Sequence, residues 1–169
     1  MNNVLSAMHG GVAISLEGQY VTINNNIYKD PVVIARLLSP QELDRVLRFN
    51  IDDDKAAEII ERDILDNTFI EFLGITDTVD WEGIEAGIPS TIAEVIVAKS
   101  TSYINDPVGA VAEESASIGL VDSMMAFVSR YMSTPFSEVQ KLPINEVYRR
   151  YAICLQAFAT EVPPIEIQE

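Results

Sequence analysis

Ile118, Val121, Met125, Val128 and Met132 recur at intervals of three and four residues. That spacing lines up one face of an α-helix, because each residue turns the chain by about 100°. After Thr134-Pro135 and Leu142-Pro143 the alternation returns in Ile144, Val147, Tyr151, Cys154 and Phe158. An apolar stripe must be covered, and two of them joined by a short connection predict an antiparallel helical hairpin in the C-terminal third.

Upstream, the signals that start helices are as informative as the apolar spacing. Ser39-Pro40-Gln41-Glu42 reads as a capping box with proline in the first turn, and predicts a helix from Pro40 to about Phe49. Asp52, Asp53 and Asp54 precede Lys55, Ala56 and Ala57, where acidic side chains satisfy free N–H groups and favour the positive end of the helix dipole; Ile59, Ile60 and Leu65 then form the stripe expected to be buried. Thr91-Ile92-Ala93-Glu94 repeats the capping pattern, with Ile92, Val95, Ile96 and Tyr103 on one face and a stop at Asn105-Asp106-Pro107. Between these, Phe69, Ile70, Phe72, Leu73 and Ile75 read as a short helix followed by a loop through Asp80-Trp81-Glu82-Gly83.

The N-terminal part follows a period of two. Val12, Ile14 and Leu16 alternate with smaller residues, Glu17-Gly18-Gln19 supplies a turn, and Tyr20 to Asn24 continues the alternation, predicting a small hairpin; Asn24-Asn25-Asn26 marks a second turn. A lone hairpin is marginal in water, so this one has to pack on helices or pair with a partner's strand. The expected class is mainly α: a helical bundle with a small N-terminal β-hairpin and a C-terminal antiparallel helical hairpin. The organisation is residues 1–30 for the hairpin segment, 31–160 for the helical domain and 161–169 for an extended tail containing Pro163-Pro164.

A chain of 169 residues, 48% hydrophobic, can bury a core of its own. Its 11 basic and 26 acidic residues leave a net charge of -15, which repels nucleic acid and anionic membrane surfaces and favours protein partners. An acidic inhibitor that mimics DNA on a host nucleic-acid-binding protein would share this charge, but it also needs carboxylates in a phosphate-like array. Cys154 is the single cysteine, so neither an internal disulfide nor a zinc cluster can form, as expected in a reducing compartment. Met1 to Ala13 lacks the pattern of a signal peptide, and no apolar run approaches the ~20 residues that span a bilayer. The expected location is therefore the cytoplasm, or an assembly that carries the protein out of it.

No catalytic, cofactor-binding or metal site is expected. His9 is the sole histidine, beside Gly10-Gly11, and no serine lies in a nucleophile-elbow motif. A calcium loop opening at Asp52 fails because its fifth and sixth positions are Ala56 and Ala57 instead of an oxygen ligand and glycine. Gly10-Gly11 belongs to no phosphate-binding loop, and Asp80 and Glu82 beside Trp81 lack the distant partner of a glycosidase pair. The candidate residues are instead for protein binding: Met124, Met125, Val128, Tyr131, Met132 and Phe136 in one apolar group, and Val147, Arg149, Arg150 and Tyr151 in the last helix. Methionine suits both cores and adaptable binding surfaces, and core is the commoner use. Arg149 and Arg150 read either as a contact for a partner or as surface residues balancing acids such as Glu146.

Ser133-Thr134-Pro135-Phe136-Ser137-Glu138-Val139, then Leu142-Pro143-Ile144-Asn145-Glu146-Val147 and the apolar helix around Ala152, resembles the C-terminal part of bacteriophage tail assembly chaperones and related baseplate assembly proteins. The resemblance covers about a quarter of the chain. It implies a non-enzymatic morphogenesis protein without cofactors that binds a tape-measure, tube or hub protein, in the host cytoplasm or incorporated into the virion tail; a homo-oligomer is a further option.

Overall fold

The computed structural model describes residues 11–48, 54–103 and 114–161. His9, Gly10, Phe49, Asp52, Asp53, the Asn105-Asp106-Pro107 stop and the 162–169 tail lie outside them, as does the side chain of Ile118. The described elements, in order, are β1 (Val12–Ser15), β2 (Tyr20–Ile23), β3 (Asn26–Lys29), β4 (Val32–Ala35), α1 (Pro40–Leu47), α2 (Asp54–Thr68), β5 (Phe69–Phe72), a single 3₁₀ turn (Trp81–Gly83), α3 (Ile88–Ser102), α4 (Glu114–Tyr131), α5 (Phe136–Val139) and α6 (Ile144–Glu161). The protein is mainly α, with a small antiparallel sheet at its N-terminal end.

The hairpin differs from the expected one. β2 pairs with β3 (Tyr20↔Lys29, Ile23↔Asn26), while β1 pairs with β4 (Val12↔Ala35, Ser15↔Val32). The tight turn is Asn24-Asn25, both in the left-handed region at φ 49° and 66°, where asparagine is tolerated and whose twist suits a two-residue hairpin. Between the two paired stretches, the Leu16 N–H donates to the Pro31 carbonyl and the Asp30 N–H to the Gln19 carbonyl. Two long arms therefore run antiparallel, with Glu17-Gly18 as extra residues on one of them. Gly18, at φ 76°, donates its N–H to Asp30 Oδ1 at 2.7 Å. The expected turn at Glu17-Gly18 forms, closed by the Gln19 N–H donating to the Leu16 carbonyl at 3.1 Å, but it lies within one arm and does not join two paired strands.

Phe69-Ile70-Glu71-Phe72, expected to be helical, is a strand that pairs with β4 (Val33↔Phe72, Ala35↔Phe69). Strand order β1-β4-β5 places β4 in the middle, and Val33, Ile34 and Ala35 are all buried. A short apolar run without alternation does not declare its type; the open edge of β4 decides it for β5.

The capping box of α1 forms as expected. Ser39 Oγ accepts the Glu42 N–H at 3.3 Å and Glu42 Oε2 accepts the Ser39 N–H at 2.8 Å. The same carboxylate is gripped by Arg36 at 2.8 and 2.5 Å, and Arg36 Nε donates to the Asn67 carbonyl at 2.8 Å. Together these bonds tie the exit of β4 to the start of α1 and the end of α2. Ser39→Ala is expected to lower stability by about 1 kcal/mol in chemical denaturation, the usual cost of a lost N-cap.

Two helices depart from the expected pattern in detail. On α2 the buried apolar residues are Ile64 and Leu65, with Ile60 packed at the edge, whereas Ile59 points to solvent at 69% exposure. α3 begins at Ile88 behind Gly87, at φ 96°, with no side-chain cap. Thr91 lies one turn inside the helix and donates its hydroxyl to the Gly87 carbonyl at 2.8 Å, so it is not a cap. The N-cap position of α5 is Pro135, again with no side-chain cap.

The interior has two apolar clusters. The larger joins the sheet to α1, α2 and α3 through Ile14, Val21, Ile23, Val33, Leu38, Leu43, Leu65, Phe72, Ile92 and Ile96. The second holds Leu37, Val121, Met125, Val128, Val139, Ile144, Val147 and Cys154, so α4 and α6 meet along the stripes read from the sequence. Leu37 and Leu38 are neighbours that serve different clusters, as alternating residues of an extended segment do. The Ile144 N–H donates to the Leu38 carbonyl at 3.0 Å, and docks the start of α6 on that segment.

Candidate protein-binding surface

α6 carries the residues that matter most. Its inner stripe, Ile144, Val147 and Cys154, is fully enclosed, and burial pushes the Cys154 thiol pKa up, away from reactivity. Phe127 of α4 lies edge-on to both Tyr151 and Phe158, at ring-centre distances of 5.6 and 6.0 Å, and stacks on Tyr131 at 5.9 Å.

Of the residues singled out for binding, Met124, Met125, Val128 and Val147 are at most 2% exposed and form interior, so they offer no surface to a partner. Tyr131, Met132 and Tyr151 are half-buried against the second cluster. Phe136 is exposed. Arg149 and Arg150 both serve Glu146: Arg149 donates to its two oxygens at 2.7 and 2.8 Å and Arg150 Nε at 2.8 Å. The Arg149 hydrogen bond, opposed by partial burial and reinforced by Arg150, holds the Glu146 pKa down to about 2 from 4.5.

That shift fixes the sign of a pH dependence. A folded-state pKa below the unfolded value means the contribution is complete above about pH 4.5 and is lost as pH falls toward 2. Glu85, whose carboxylate accepts the Thr22 hydroxyl and N–H at 2.5 and 3.0 Å, is lowered in the same sense. Urea denaturation at pH 6 and pH 3 is expected to show a loss of stability at the lower pH, and a smaller loss in Glu146→Gln.

The exposed surface of α6 is a second stripe beside the first. Ala152, Leu155, Phe158 and Ala159 fall within about 120° of one another at 100° per residue, and all four are exposed, Leu155 at 41% and Phe158 at 46%. Ile153 is also exposed, at 44%, but sits on the opposite side beside Arg149 and Gln156. Residues 151–160 carry no charge, in a chain that is 22% charged. That uncharged run is the sequence signal for this face; the three-four spacing marks the inner stripe and, of the exposed face, only Phe158, which lies where the two stripes meet.

Among the described residues no group of three or more His, Cys, Asp or Glu side chains is placed to hold a metal ion. Among them, too, no helix is long and apolar enough to cross a membrane. No family model, characterised protein or solved structure matches the chain.

Proposed function

We propose that this chain is a non-enzymatic morphogenesis protein of a bacteriophage tail or baseplate, and that it binds a helical segment of another tail protein on the outer face of α6. The observation that carries the binding reading is the exposed Ala152, Leu155, Phe158 and Ala159 stripe. A helix apolar on more than one face is normally covered on each. The phage assignment is supported by the resemblance of the Ser133–Val147 stretch to tail assembly chaperones and baseplate assembly proteins.

Charge specifies the occupant. Arg36, Arg45, Arg48, Arg62, Lys141, Arg149 and Arg150 are each already ion-paired with an acid of this chain, yet the net charge is -15. The uncompensated field is negative, so the partner is an amphipathic helix with basic residues flanking its apolar seam. Such a pairing shields an aggregation-prone helix while the acidic surface keeps the complex soluble.

Two synthetic helices sharing one leucine seam, flanked by lysine in one and glutamate in the other, test this by titration calorimetry. The lysine helix is expected to bind, more weakly as salt rises, and the glutamate helix to bind at least about tenfold less tightly. Equal affinity for the two, no binding of either, or a stable dimer of the chain closed over Leu155 would contradict the assignment.

A further inference from the structure

Where the extended segment passes from one apolar cluster to the other, a cavity of about 290 Å³ opens between Val12, Leu37, Lys99, Ser102 and Tyr103. Val12 and Leu37 give it an apolar wall, both packed in the second cluster. The rest of the lining comes from the end of α3 and is polar. The Ser102 hydroxyl donates to the Lys99 carbonyl at 2.7 Å, so its proton is committed and it offers only lone pairs. The Tyr103 ring is fixed edge-on against Tyr148 at 5.4 Å, and its hydroxyl has no hydrogen-bond partner among the described residues.

Lys99 supplies the charge. Seven cations of the chain are held by carboxylates, whereas Lys99, like Lys29 and Arg130, makes no ion pair among the described residues, and of these three it alone lines the cavity. An unpaired ammonium in so acidic a protein, at the rim of a cavity with an apolar wall, is a preset counter-charge: an anion binding there breaks no existing ion pair.

We infer that this cavity binds a monocarboxylate carrying a short apolar body, with the carboxylate on Lys99 and the Tyr103 hydroxyl and the body against Val12 and Leu37. One ammonium balances one carboxylate. A polyanion such as a phosphate dianion would bring charge that nothing in the cavity offsets, against a net charge of -15. The volume lies at the lower end of ligand pockets, which begin near ~300 Å³, and suits a chain of about five or six carbons. The inference is independent of the outer face of α6.

The same chemistry is offered by a free aliphatic acid and by the C-terminal residue of a peptide, and one titration separates them. The full chain with ¹³C-labelled methyls is titrated with hexanoate, hexanamide, the peptide Gly-Gly-Leu with a free carboxylate, and its C-terminal amide. Saturable shifts of the Val12 and Leu37 methyls are expected with at least one acid and neither amide; which acid acts identifies the source. Lys99→Met is expected to weaken that binding about tenfold or more, as loss of a charge-assisted hydrogen bond does. Lys99→Arg is expected to retain binding, which shows that the cation and not the fold is being read. Amides that bind as well as acids, acids that leave both methyls unmoved, or unchanged affinity in Lys99→Met would overturn the inference.

Discussion

Phe72→Ala is expected to destabilise the protein by about 3–5 kcal/mol, the usual cost of removing a buried phenyl ring and leaving its cavity behind. Phe72 is 1% exposed. Its ring stands edge-on to Phe69 at 5.3 Å and tilted against Trp81 at 6.3 Å, and Phe69 meets Trp81 at 4.9 Å. These three rings join β5 to the 3₁₀ turn, and β5 has only four residues, paired with β4 alone. Against a typical domain stability of about 5–15 kcal/mol the loss is a large share of the total. Urea denaturation measures it as a lower midpoint. Ile59→Ala is the control: at 69% exposure it should change stability by no more than about 0.5 kcal/mol. A Phe72 effect below about 1 kcal/mol, or an Ile59 effect that rivals it, would contradict the packing described.

Leu155→Asn is expected to weaken binding of the lysine-flanked helix about a hundredfold or more, roughly 3 kcal/mol. Covering the part of Leu155 that is still exposed is worth about 1 kcal/mol, and an amide left unpaired in its place adds a desolvation cost of about 1–3 kcal/mol. Because Leu155 is 41% exposed in the free protein, the fold should tolerate the change. Ile153→Ala removes a side chain of similar exposure from the other side of α6 and should leave affinity within about twofold, the expectation for a residue outside the contact. Equal losses at both positions would mean general helix damage and not a lost docking face. Calorimetry gives the affinities and circular dichroism the state of the fold.

The helices were legible because their signals are local. The stripes of α4 and α6 and the box at Ser39-Pro40-Gln41-Glu42 are written within a turn or two of chain, and each forms where the spacing places it. What failed depended on distant neighbours. Phe69–Phe72 is a strand because β4 offers it an edge. The turn at Glu17-Gly18 forms but joins no hairpin, because Asp30 and Pro31, from the other arm, bond across it and set the register. Ile59 and Ile64 are equally apolar, and only the packing of α2 on the sheet and α3 decides that Ile64 is inside. The candidate surface was half legible for the same reason. Helical spacing led to Met125, Val128 and Val147, which the interior claims, while Ala152, Leu155 and Ala159 come to notice through the missing charges of residues 151–160 and through their exposure.

The decisive measurement is photo-crosslinking with p-benzoylphenylalanine in place of Leu155, in cells producing the phage tail. The docking account predicts a single major adduct, identified by mass spectrometry as a tape-measure, tube or hub protein, with little or none when the same probe replaces Ile153 on the far side of the helix. No adduct from position 155, or the same adducts from both positions, would show that this face is not where the protein meets its partner.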